Sequence, residues 1–397
     1  MESVDFTAST GTSRDPVAPN LMKLVPIQQV GSHIKAGSPL PFGVRDAEGK
    51  LLLAKGQPVP NEQMREALMN RGVFVDLDEL KDPSRRGGDD GAGGEDFFAR
   101  WEGLQTRLAV LLRAPQEPLF LPRVKECAGQ FLGWAERFPD QLLFVVVQHD
   151  HSRHEVYGLV HLLHAAALSA LLSRRLVWSP ERQRSLVGAA LTMNLSIIDL
   201  QGRLASRGGK LLPPQRAAID RHPDEAVAWL RNAGLDDTEW LAAVAQHHEQ
   251  VGGGGYPQGL PAPNDMAQLL RLVDIFLAKL ASRGGRIGLP APQAAKTLYT
   301  GSNGHPFAAL LVKEMGLFPP GTLVKLASGE TAVSVRRGTS GNTPIVSAVM
   351  NRHGDALGSP VRRDTALSEH AITGLVAAQA LRVKLSPHQL YDRRYEA

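Results

Sequence analysis

His247 and His248 stand side by side, followed by Glu249, and the chain then runs through Gly252-Gly253-Gly254-Gly255 into Tyr256-Pro257-Gln258-Gly259-Leu260. Imidazole nitrogens are good ligands for divalent transition metals, and neighbouring histidines can present them to one ion. Four glycines let the backbone turn sharply or approach a bound group closely, and Tyr-Pro stiffens the exit of such a loop. His161, His222 and Asp274 are further candidates, each with an ordinary reading beside the chemical one. A lone histidine on an apolar helix face is usually a packed core residue, and Asp274 could pair with Arg271 or Arg286. Metal-assisted hydrolysis asks for more than imidazoles. Two ions a few ångströms apart can activate a water and neutralise developing charge, and holding both takes several imidazoles plus a bridging carboxylate.

These residues fall in a region of helical periodicity. Phe97, Trp101, Leu104, Leu108, Leu111 and Leu112 recur at three- and four-residue spacings. Further helices are predicted over 123–138, 155–176, 180–195, from 214 onward, 223–233, 237–250, 266–282 and 292–298. Ser179-Pro180-Glu181 and His222-Pro223-Asp224-Glu225 each read as a helix start, with proline in the first turn and acids beside it. Residues 97–317 therefore read as an all-α domain. Upstream, two strands within 43–54, a short helix over 61–70 capped by Asn61 and a strand over 72–77 make a small α+β module spanning 21–82. A flexible tail, 1–20, precedes it, and a Gly/Asp-rich linker, 83–96, follows it. Downstream, 318–397 reads as a β-rich extension and tail, with strands in 321–326, 330–336 and 345–350 and a last helix over 369–381.

The bulk numbers exclude several classes. With 397 residues the chain can form two or three domains, and a net charge of +4 without a basic run gives no sign of nucleic-acid polymer binding. A single cysteine, Cys127, rules out an internal disulfide and fits a reducing cytoplasm, where it packs as a small core residue. The first 16 residues lack the basic-then-apolar pattern of a signal peptide, and the apolar stretch 159–172 is shorter than a membrane span needs.

The run from His247 to Leu260 resembles the signature loop of the HD-GYP family, metal-dependent hydrolases of cyclic di-GMP, and the likeness extends from about Leu142 to Leu326. The resemblance places His161 at the family's first histidine, and His222, His247, His248 and Asp274 at further metal-ligand positions. Gly209-Lys210-Leu211 and Arg221-His222-Pro223 fall at the family spacing without a gap. Several positions depart from the pattern. Met193 and Asn194 stand where the family has its His-Asp pair, and Ile197 stands where it has a lysine. The family's Asp-Gly is Gly252-Gly253 here, and Arg283 and Arg286 survive from an Arg-Pro-Tyr-Arg stretch that has lost Pro-Tyr. Asn194 is close in shape to aspartate but neutral, so it cannot bridge and neutralise two dications. Met193 offers a soft thioether, poorly matched to Mn or Fe.

The resemblance implies a mainly α fold: an HD-domain helical bundle with a small N-terminal α+β module and a short C-terminal β-rich extension. It implies one divalent ion (Zn, Mn or Fe) held by His222, His247 and His248, with His161 and Asp274 nearby, rather than a binuclear centre. No residue is assigned a catalytic role. Gly254, Gly255, Tyr256, Pro257, Arg283 and Arg286 are the candidate ligand contacts. The expected function is that of a cytoplasmic signalling protein with impaired hydrolysis, acting by binding cyclic di-GMP or by docking a GGDEF-type cyclase or other signalling protein. The alternatives are an active cyclic di-GMP phosphodiesterase with an unusual metal centre, and a pure protein-interaction scaffold.

Overall fold

The computed structural model describes residues 24–40, 42–46, 51–53, 57–70, 73–76, 96–148, 154–284, 286–377, 381 and 386–391. The tail expected over 1–20 and nearly all of the linker expected over 83–96 lie outside them. The chain divides into two compact units, Met1–Pro83 and Ser84–Ala397.

In the first unit, β1 (Leu24–Pro26), β2 (Ser38–Pro39), β3 (Val44–Arg45), β4 (Leu51–Leu53), β5 (Pro58–Val59), α1 (Glu62–Asn70) and β6 (Phe74–Asp76) follow in order. The strands form an antiparallel sheet of order β1-β6-β3-β4 and a separate β2-β5 pair. Asn61 caps α1 as expected, its side-chain oxygen accepting from Met64 N–H at 2.9 Å. Ile27, Phe42, Val44 and Val75 are fully buried and make its interior.

The second unit carries α2 (Phe97–Leu111), α3 (Phe120–Arg137), α4 (Pro139–Val147), α5 (Tyr157–Arg175), α6 (Pro180–Thr192), α7 (Ile198–Arg207), α8 (Pro213–Asn232), α9 (Thr238–Gln246), α10 (Asp265–Leu280), α11 (Ala291–Gly301) and α12 (Pro306–Met315). Helix α5 is the axis of the bundle. It is apolar on every side, every residue from Tyr157 to Ser173 is buried, and it packs against α3, α4, α6, α7 and α10. The run His154–Arg175, 22 residues, is long and apolar enough to cross a membrane by length and composition, but 94% of its apolar window is buried inside the fold. A close crossing of α6 and α9 fixes the segment that leads into Met193 and Asn194. A Cβ on Gly188 would sit 2.3 Å from the Trp240 ring, so only glycine lets the indole come this close. From that position Trp240 Nε1–H donates to Thr192 Oγ1 at 2.8 Å.

Strands β7 (Leu323–Leu326), β8 (Thr331–Arg336), β9 (Ile345–Met350), β10 (Ala356–Asp364) and β11 (Ile372–Leu375) form one antiparallel sheet of order β10-β9-β8-β7-β11, and a short α13 (Pro387–Leu390) follows. Val333, Val335, Val349 and Met350 join the same apolar core as the helices. Two local expectations fail. The helix expected over 369–381 is a single 3₁₀ turn, Ser368–His370, followed by β11, which pairs with β7. Edge pairing available only in the folded sheet outweighs a weak helical pattern. The helix start expected at His222-Pro223 is absent too, because Pro223 lies inside the continuous 20-residue helix α8.

The sheet is fastened to the bundle by charge. Arg337 donates from Nε to Asp140 at 2.5 Å and from Nη1 to Glu314 at 2.7 Å, while Arg175 Nε reaches the other Glu314 oxygen at 2.5 Å. The Glu314 side chain is only 3% exposed. Removing one member of such a network leaves its partners desolvated and unpaired. Glu314→Ala is expected to destabilise the protein by about 3 kcal/mol in urea unfolding, and Glu314→Gln by less. An unchanged midpoint for the alanine variant would contradict this role.

Candidate metal centre

Three histidines converge where two helices come together. His222 sits in mid-α8. His247 is the residue that ends α9, and His248 follows it into the glycine loop. One ligand atom from each of the three lies within 4.8 Å of the others. Two of the rings are pinned by backbone. His222 Nδ1 lies 2.6 Å from Ile219 O, and His247 Nδ1 lies 2.7 Å from Val244 O. A carbonyl oxygen can only accept, so in each ring the proton sits on Nδ1 and Nε2 is a bare lone pair. The two Nε2 atoms face each other at 3.1 Å. Protonation does not relieve that contact near neutrality. Burial lowers the pKa of His222 and holds that of His247 well below the usual imidazole value, with the neighbouring imidazoles pushing His247 the same way. Two facing lone pairs in a buried site are what a cation satisfies.

A second pair lies beside them. His161 on α5 meets Asp274 on α10, Nε2 to Oδ1, at 2.7 Å. Burial alone would raise the Asp274 carboxyl, but the hydrogen bond with His161 holds it well below the usual carboxylate range. The Tyr157 hydroxyl lies 3.5 Å from His161 Nδ1 and accepts from Arg283 Nη2 at 2.6 Å. His161, Asn194, His222, His248, Tyr256 and Asp274 share a cleft of about 450 Å³, with Arg283 and Arg286 also on its wall.

The glycine loop is held by a residue to which sequence reasoning gave no role. Glu249 is 1% exposed, and its carboxylate accepts the backbone N–H groups of Gln258 at 2.7 Å, Gly259 at 3.1 Å and Leu260 at 2.9 Å. The loop is thereby folded back on its own start. Gly255 passes so close to that start that a Cβ there would lie 2.4 Å from the Glu249 Cα. Tyr256 stacks on His248, with centroids 4.5 Å apart and planes at 19°, and Arg216 lies over the tyrosine ring at 5.6 Å. The Tyr256–Pro257 bond is cis. Of the four expected loop contacts, Tyr256 reaches the cleft wall, whereas Gly254, Gly255 and Pro257 shape the loop. Arg283 and Arg286 are engaged with the protein. Arg283 buttresses Tyr157, and Arg286 donates to the carbonyls of Ala278 and Ala281 at the end of α10.

The HD domain, as a protein family, matches residues 137–305, a range that contains all five candidate ligands. The chain is 29% identical over 198 residues to the cyclic di-GMP phosphodiesterase PA4108 of Pseudomonas aeruginosa, covering 48% of this chain and 47% of that protein. Residues 137–305 match the HD domain. A second relative, the 3'3'-cGAMP-specific phosphodiesterase 3 of Vibrio cholerae, is 28% identical over 170 residues, covering 41% of this chain and 36% of its own length. The chain thus spans about half the length, or less, of these curated relatives. Among solved structures, the HDG"Y"P protein Bd1817 from Bdellovibrio bacteriovorus aligns with a TM-score of 0.46 at 18% identity, over 73% of this chain and 98% of its own.

Within the HD domain the donor set fits one ion. Three imidazoles converge, and a fourth polar atom is available. Asn194 is 1% exposed, its Oδ1 is buried without a hydrogen-bond partner, and its side chain does not cap the turn it begins. An orphaned acceptor lining the same cleft as two of these imidazoles matches a cation better than it matches any donor nearby. Among the described residues, the three histidines are the cluster close enough to hold an ion. Met193 is fully buried within the apolar core, and His161 and Asp274 are bonded to each other.

Two outcomes follow from this geometry. Burial pushes His248 down to about 4 from 6.5. Between those values the unfolded chain binds more protons than the folded one, so stability rises with pH across the window. The metal-free protein should therefore lose unfolding free energy as the pH falls below about 6.5. Urea titrations at stepped pH check this, and a profile flat from neutral pH to the acid side would contradict it. Glu249→Ala strips three N–H groups of their acceptor and should cost about 1–3 kcal/mol. Faster hydrogen exchange at residues 258–260 should accompany the loss, with Glu249→Gln intermediate.

Proposed function

We propose that this chain is a catalytically impaired HD-GYP protein that holds one divalent ion and binds a cyclic dinucleotide, of which cyclic di-GMP is the first candidate, without cleaving it. The observation that carries the reading is the pair of bare Nε2 atoms of His222 and His247 at 3.1 Å, beside a Met193 that is packed into the core. His222, His247, His248 and Asn194 Oδ1 would hold the ion, a zinc-like one by donor type. Such an ion supplies Lewis-acid polarisation of a phosphoryl oxygen. The names of the two relatives support a cyclic dinucleotide as the ligand class. What favours binding over hydrolysis is the chemistry at three positions. Asn194 carries no charge with which to bridge two ions, Met193 directs no donor into the cleft, and Ile197 puts an alkyl side chain on the cleft wall. The protein would then report the nucleotide to a partner, a GGDEF-type cyclase or another signalling protein, in the cytoplasm.

Metal analysis of the full chain, with calorimetry and turnover assays on cyclic di-GMP in Mn or Fe, tests this. One ion per chain, measurable binding and no linear product are expected. Two ions and a linear product would establish instead an active phosphodiesterase with an unusual centre. The double variant Met193→His, Asn194→Asp is expected to take up a second ion. It should also lower stability, because an imidazole then replaces a thioether in the apolar core.

A further inference from the structure

Helix α8 contains an apparent defect immediately beside its metal-facing histidine. In a regular helix each N–H donates to the carbonyl four residues earlier, so the N–H of residue 223 would occupy Ile219 O. Residue 223 is proline, buried and inside the helix, and proline has no N–H to give. The Ile219 carbonyl is taken instead by His222 Nδ1 at 2.6 Å. His247 needs no such device. It ends α9, where the last carbonyls have no helical donor, and its Nδ1 takes Val244 O at 2.7 Å.

We infer that Pro223 is a positioning residue, which by withholding a backbone N–H reserves the Ile219 carbonyl for His222 and so fixes the ring as the tautomer with a bare Nε2. The alternative state is chemically specific. With Nε2 protonated, His222 would donate across the 3.1 Å gap to the bare Nε2 of His247. That hydrogen bond would consume both lone pairs and close the site to an ion. A carbonyl can accept two hydrogen bonds, so a backbone N–H at 223 would share Ile219 O rather than monopolise it. The expected effect is a graded shift between tautomers. This inference rests on the reading that the three histidines hold a metal ion only for its effect on affinity. The tautomer itself is a property of the metal-free protein.

The test uses the full chain with Pro223→Ala and, separately, with an α-hydroxy acid at 223. The latter places an ester at that position, with neither N–H nor ring. Two readouts are taken: the imidazole ¹⁵N shifts of His222 in the metal-free protein, and zinc affinity in competition with a chelator. Pro223→Ala should populate the Nε2–H form and weaken zinc binding about 10- to 100-fold, the range for lost outer-shell partners of metal-bound histidine. It should also raise the melting temperature, because alanine suits a helix interior better than proline does. Tighter folding with weaker binding is a combination that a purely structural role does not produce. The ester variant should restore both the tautomer and the affinity. Unchanged shifts and unchanged affinity in Pro223→Ala would overturn the inference, and so would an ester variant that behaves like the alanine one. If the wild-type chain binds no zinc while the shifts move as expected, the metal reading fails and the tautomer inference stands.

Discussion

Everything at the centre of this molecule depends on one awkward contact, two imidazole lone pairs aimed at each other at 3.1 Å. Left alone, a histidine pair relieves such a contact by protonating or by turning a ring over. Here both exits are closed. The rings are held through Nδ1 by the carbonyls of Ile219 and Val244, and burial disfavours the charged form. Helices α8 and α9 must therefore meet at a fixed distance and rotation. The packing around them serves that demand, from the indole of Trp240 lying over Gly188 to the continuous apolar surface of α5.

On the proposed reading, the same architecture would let a two-ion site decay without losing its fold. Met193 exchanges a polar side chain for apolar packing and lies wholly inside the hydrophobic core, while Asn194 keeps nearly the shape of a carboxylate without its charge. Thr192 just before them is tied to Trp240. His161 and Asp274, deprived on this reading of an ion to share, satisfy each other. The cost of burying their polar atoms is met by that mutual hydrogen bond.

Much of this was legible in the residues. The spacing of His161, His222, His247, His248 and Asp274, with the glycine loop, carried the family resemblance, and three- and four-residue apolar spacing marked the helical region. What could not be read were roles that exist only in three dimensions. Glu249 looked like one more loop carboxylate, since nothing in a sequence says that three amides ten residues away will need an acceptor. His222-Pro223 looked like a helix start, because proline in the first turn is the common case. Whether α8 continues through Pro223 depends on what packs against it. The strand β11 was missed for a similar reason, as its partner β7 lies about fifty residues earlier.

The sequence by itself determined the donor inventory: how many imidazoles are available, that position 194 is neutral, and that position 193 is a thioether. Those are properties of covalent chemistry and no folding alters them. Only the tertiary structure decided which nitrogen of each ring is bare, that Asn194 Oδ1 is left without a donor, and that His161 is bonded to Asp274. Tautomers and orphaned acceptors are set by the partners within about 3 Å: Ile219 O and Val244 O lie three residues from their histidines but accept only where the helix leaves them unpaired, and Asp274 reaches His161 from a helix 113 residues away.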